Sequence, residues 1–213
     1  MMLDRRMFVG TVTGLAGLGS VAPQVPPPPP AAAREWDLSW LDQFKGKHKH
    51  LFDVGNMNVS RDTPLRMPMN YLDAFRDVYH LEPPDVNVVI GIQRVAFPIN
   101  ASDALWEKYT LGERFEIKDP QSGATATHNI FLGQATGGPG STVRPLQARG
   151  VLFWQCNIAL NAVAGELARS IGKPVQEVRA ELVAGLNPGV KLVPAHTLLV
   201  GLVQERGFTY EKP

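Results

Sequence analysis

The run Val86-Asn87-Val88-Val89-Ile90-Gly91-Ile92 constrains the fold more than any other stretch of the chain. Its β-branched residues do not alternate with polar ones, so it reads as a strand with both faces covered. Such strands belong to parallel sheets packed between helices. The neighbouring segments agree. Leu51-Phe52-Asp53-Val54 is a second short apolar strand, and residues 65–79 place Leu72, Phe75, Val78 and Tyr79 at helical spacing. Ser102 precedes a short helix over 103–109. A helix near 142–149 leads into a strand over 151–156, and Asn157 opens a helix that runs to Ile171. Pro174 sits where a first helical turn tolerates it, ahead of a helix over 175–186 that Asn187-Pro188-Gly189 ends. A strand over 190–195, a helix over 196–207 and a short strand over 208–210 follow. This alternation predicts a three-layer α/β fold, a mostly parallel sheet with helices on both faces. Residues 34–213 read as a single domain without internal repeats. Within it, 112–145 is a Gly/Pro-rich insertion loop marked by Asp119-Pro120, Ser122-Gly123 and Gly137-Gly138-Pro139-Gly140.

Residues 1–33 read as an export signal. Arg5-Arg6-Met7-Phe8-Val9 before a Gly-rich, mildly apolar stretch matches the twin-arginine pattern, and Ala31-Ala32-Ala33 offers small residues for cleavage. Pro26 to Pro30 form a stiff spacer. Removing Arg5, Arg6 and Asp4 from 21 basic and 20 acidic residues leaves a mature chain with no net charge. That balance gives no electrostatic footprint for nucleic acid or an anionic membrane. No later apolar run approaches the ~18 residues a membrane span requires. The expectation is a bacterial periplasmic or secreted protein, exported already folded by the twin-arginine machinery.

The chain has one cysteine, which excludes a disulfide within the chain and a Cys-only zinc site. In open α/β sheets ligands bind beyond the carboxyl ends of the strands. That rule selects Asn56, Gln93, Arg94, Cys156, Asn157 and His196 as candidate site residues. Cys156 closes a strand and precedes a helix, where unpaired amides and the helix dipole favour a thiolate. His196 stands at the same edge by the same logic, and a Cys156–His196 pair would activate the thiol further. Arg94, just past the strand end, would add positive charge to that edge. The plainer reading is a buried, inert cysteine, since free Cys is among the most buried residue types. Lys45-Gly46-Lys47-His48-Lys49-His50 reads as a solvated segment leading into the first strand rather than a metal site. His128 lies in the turn-rich region without a histidine at metal-ligand spacing. Residues 133–140 lack the context of a phosphate loop and suit a flexible lid. Trp106 and Trp154 read as packing residues.

The segment Gly150-Val151-Leu152-Phe153-Trp154-Gln155-Cys156-Asn157 carries a family resemblance, together with Gly189-Val190-Lys191-Leu192-Val193-Pro194-Ala195 and Gln204-Glu205-Arg206-Gly207-Phe208-Thr209-Tyr210. In order and spacing these resemble the DsrE/DsrF-like family, over roughly residues 143–211. The likeness is greatest to its exported members with twin-arginine signals. The resemblance implies a three-layer α/β fold that tends to form homo-oligomers. It also implies a cysteine at position 156 that carries sulfur as a persulfide. Its partners would be a sulfur donor or acceptor protein or a small thiol. His196 has no counterpart in the family pattern.

The leading expectation is an exported sulfur or thiol carrier using Cys156 as a persulfide or mixed-disulfide site, sulfurtransferase-like if it turns over, and needing no cofactor. Asn157, Arg94, Gln93 and Asn56 would line the ligand edge beside Cys156 and His196. A non-catalytic binding module for a small molecule or partner chain is the alternative. A metal or haem protein using His196 and His128 is the third.

Overall fold

A computed structural model describes residues 36–57, 64–133 and 141–213. The export signal expected over 1–33 lies outside the described residues, as does most of the glycine-rich stretch 133–140. Among the described residues five strands form one sheet: β1 His48–Val54, β2 Val86–Ile92, β3 Leu152–Cys156, β4 Lys191–Val193 and β5 Thr209–Glu211. Their order is β4-β3-β2-β1-β5, and every adjacent pair is parallel. Among the described residues eight α-helices connect them. These are α1 Arg66–Tyr79, α2 Phe97–Asn100, α3 Asp103–Tyr109, α4 Leu111–Arg114, α5 Val143–Ala148, α6 Asn157–Ile171, α7 Val175–Ala184 and α8 His196–Glu205. The expected α/β class is therefore present, with a sheet wholly parallel among its described strands.

Residue parity along the strands divides the core in two. Phe52, Val54, Val88, Ile90, Ile92 and Phe153 point to one face, where Leu72 of α1, Trp106 of α3, and Leu160 and Val163 of α6 cover them. Leu51, Val89, Trp154 and Val193 point to the other, under Leu41, Leu199 and Val203 of α8, and Phe208. All seven residues of β2 are buried, as a two-sided apolar strand requires. The chain advances from β1 to β4 in one direction and then returns, through α8, to lay β5 beside β1. This return is what brings the start of α8 over the carboxyl ends of the central strands.

Two segments differ from their sequence reading. The first strand begins at His48, not Leu51, and takes in part of the Lys/His cluster. His50 is buried among aromatic rings: its ring lies 4.4 Å from Phe52 and 4.7 Å from Tyr71 between centroids. Its Nδ1 pairs with Thr209 Oγ1 at 2.6 Å. An imidazole with one partnered nitrogen fits an apolar face that an ammonium group cannot enter.

The described part of 112–145 is anchored, with Ile117, Ala126 and Phe131 in the core. Asparagine side chains do the anchoring. Asn129 Nδ2 donates to the carbonyls of Ile99 and Ala101, and Asn129 Oδ1 accepts from the Phe131 amide. Asn100 Nδ2 donates to the Trp154 carbonyl at 3.1 Å, tying α2 to β3.

Candidate functional site

Cys156 ends β3 and serves as the N-cap of α6. The first amides of a helix have no partner within it and must find one outside. Here the sulfur supplies it, accepting from the Ala159 amide at 3.4 Å. The same Sγ accepts from the His196 amide at 3.3 Å, at the first residue of α8. One sulfur thus caps two helices of 15 and 10 residues, whose N-terminal partial positive charges both face it. Cys156 is 6% exposed.

The His196 ring is engaged elsewhere. Its Nδ1 accepts from Trp154 Nε1–H at 3.1 Å. Because an indole nitrogen only donates, Nδ1 is unprotonated and Nε2 carries the proton. Nε2 lies 2.9 Å from Asp53 Oδ1, close but off the line of a straight hydrogen bond. Burial pushes the imidazole below the ordinary histidine value, and the Asp53 carboxylate opposes that push. With both ring nitrogens committed, the part of His196 that meets the sulfur is its backbone.

Asp53 is itself buried and held on both oxygens. Gln93 Nε2 donates to Oδ1 at 2.7 Å, and the Tyr210 hydroxyl donates to Oδ2 at 2.7 Å. That bond to Asp53 is the main reason the Tyr210 hydroxyl is harder to ionise than a free phenol. Strand register places Asp53, Gly91 and Trp154 in one row across β1, β2 and β3, facing α8. Gly91 leaves the space the imidazole fills: a Cβ there would lie 2.6 Å from His196 Cε1 and 2.6 Å from Trp154 Cζ2.

The remaining sequence candidates are spread along the edge. Gln93 acts on Asp53. Arg94 is ion-paired with Glu166 of α6, with both side chains about half exposed, and the structure records no hydrogen bond from it to Cys156. Asn157 Oδ1 accepts from Arg179 Nη2 at 2.9 Å, and Asn56 Nδ2 donates to the Pro213 carbonyl at 2.7 Å. His128 is exposed in the segment between α4 and α5. Among the described residues no three His, Cys, Asp or Glu side chains converge as a metal ion requires. No helix among them is long and apolar enough to cross a membrane. A cavity of about 230 Å³ lined by Trp106, Glu107, Thr110 and Glu113 holds none of the groups around Cys156.

Asp53, Trp154 and Tyr210 were not singled out from sequence as site residues. A carboxylate inside Leu-Phe-Asp-Val was the available signal, since a buried strand carries a charge only where partners await it. Trp154 and Tyr210 read as ordinary aromatics because their polar atoms find partners only through the fold.

Compared with known proteins, the chain matches no family model, and no curated protein or solved structure matches it significantly.

Proposed function

We propose that this chain is an exported sulfur carrier in which Cys156 holds a sulfane sulfur, in line with the resemblance of residues 143–211 to DsrE/DsrF-like proteins. The observation that carries the reading is the pair of backbone amides on one sulfur, those of Ala159 and His196. Amides directed at a sulfur solvate its anion, and they act more strongly in a site from which most water is excluded. The thiolate is the nucleophile in sulfur transfer.

The chemistry balances without a cofactor. The Cys156 thiolate attacks the outer sulfur of a donor persulfide R–S–SH. The donor S–S bond breaks, a new bond forms from Cys156 Sγ, and R–S⁻ leaves and takes up the proton. Delivery to an acceptor thiol is the same exchange in reverse. The partners in this reading are a persulfide-bearing protein or small thiol outside the cytoplasm, reached through the twin-arginine machinery, with the carrier assembled as a homo-oligomer.

Reduced protein mixed with a small-molecule persulfide should gain about one sulfur, ~32 Da, on Cys156. Cyanide should remove it as thiocyanate, and Cys156→Ser should abolish the gain. An unchanged mass in folded wild-type protein, or a gain that survives Cys156→Ser, overturns the proposal.

A further inference from the structure

The Asp53–His196–Trp154 cluster has a geometry that a thiol carrier does not require for its own sake. Three strands supply one row of positions, Asp53, Gly91 and Trp154, and the imidazole of His196 lies along that row. Trp154 holds one ring nitrogen, while Asp53, fixed by Gln93 and Tyr210, faces the other. The start of α8 has no side-chain cap of its own. Its cap residue is Ala195, which offers no side-chain acceptor to the first turn. The first residue of the helix is therefore located by its ring and by the sulfur its amide meets, not by a cap residue of its own.

We infer that His196 is a positioning residue whose imidazole, clamped between Asp53 and Trp154 over Gly91, aims the His196 amide at the sulfur of Cys156. The inference rests on the thiol reading above and adds to it the residues that hold the ring: Asp53, Gly91, Gln93, Trp154 and Tyr210. The ring does not take the thiol proton. It holds the backbone donor in place, as preorganised donors must be held to stabilise charge without reorganising. The charged and titratable groups around His196 are Asp53 on β1 at the ring, Tyr210 on β5 through Asp53, Lys212 beyond it, and Cys156 on β3 at the backbone amide. Protonating Nδ1 would set two donors against each other at Trp154 and break the clamp from that side.

The test is the rate of Cys156 alkylation by iodoacetamide against pH, in wild type, His196→Ala and Trp154→Phe. Withdrawing one amide makes the sulfur anion harder to form but more nucleophilic once formed. The His196→Ala rate should be about threefold below wild type near neutral pH. It should cross above wild type in alkaline buffer, where the sulfur is ionised in both. Trp154→Phe, which keeps an aromatic ring but loses the indole donor, should show the same crossing at smaller amplitude. A variant that only loosens packing would react faster at every pH. Unchanged profiles, or uniformly faster ones, overturn the inference.

A measurement on the unsubstituted protein guards against variants that fail to fold. The Trp154 indole N–H resonance should lie downfield of a free indole and move on acidification together with the His196 amide resonance. A free-indole position, or a His196 amide that stays still while its ring titrates, contradicts the clamp. Neither experiment needs a sulfur donor. Crossing profiles without sulfur loading overturn the carrier reading alone, whereas loading with unchanged profiles overturns the clamp alone.

Discussion

At the scale of single residues, two glycines should respond in opposite directions to the same change. Gly91→Ala drives a methyl into the His196 ring and into Trp154, which is fully buried. Overpacking of this kind costs about 1–3 kcal/mol. Gly201, inside α8, has nothing within 4 Å of its missing Cβ, so Gly201→Ala should stabilise by about 0.5–1 kcal/mol through helix propensity. Urea midpoints of the two variants check both signs.

The buried histidines give a pH dependence whose sign follows from burial. Both His196 and His50 are pushed below the ordinary histidine value of 6.5, in each case chiefly because burial penalises the charged ring. The unfolded chain lacks that burial and takes up its protons first. Below about 6.5 it therefore binds more protons than the folded chain, and stability falls as pH drops. The loss continues until the folded rings protonate in their turn. Urea midpoints should be level above about pH 7 and fall steadily between pH 6.5 and 5. Midpoints that rise on acidification through that window contradict the burial of these rings.

At the scale of elements, what was legible in the sequence depended on whether a segment keeps a period. The run 86–92 has Asn87 as its one polar residue and is a strand over those same residues, because burial on both faces leaves no polar alternation. The helix after Cys156 and the strand–helix pair ending near residue 205 were legible for the same kind of reason. Between β2 and β3 the helices over 103–109 and near 142–149 were legible too, but the rest of that stretch has no such period. Its order comes from isolated side chains: Asn129 and Asn100 bond to backbone groups far from them in sequence. No local pattern announces a bond of that sort. Asn129→Ala should strand buried carbonyls and the Phe131 amide, at a cost of about 2 kcal/mol or more. A shift in the denaturant midpoint without a change in slope would show that the cost falls on stability and not on a separate unfolding unit.

The site divides along the same line. Cys156 and His196 were legible as strand-end residues entering helices. The backbone contact between them was not, because it depends on which strands are neighbours. The sequence suggested that the imidazole activates the thiol, yet Trp154 bonds one ring nitrogen and Asp53 faces the other. The register that aligns Asp53, Gly91 and Trp154 exists only once the sheet is assembled.

At the scale of the whole molecule, the strand order explains how residues so distant in sequence meet. The chain builds β1 to β4 outward, then crosses back through α8 to β5. That crossing sets the α8 start over β2 and β3 and places Tyr210 beside Asp53. The sulfur of Cys156 consequently lies where two helix starts converge at the carboxyl edge of a parallel sheet, the edge where this class of fold binds its ligands. A chain with a single cysteine has no internal disulfide available to occupy that thiol.

The most direct measurement is the intact mass of the protein recovered from its native compartment under non-reducing conditions. A population heavier by about one sulfur, ~32 Da, reversed by cyanide or reductant and localised to Cys156, is the expected result. A chain whose only species carries a free, unmodified thiol, and which stays so after exposure to a persulfide donor, would contradict the account.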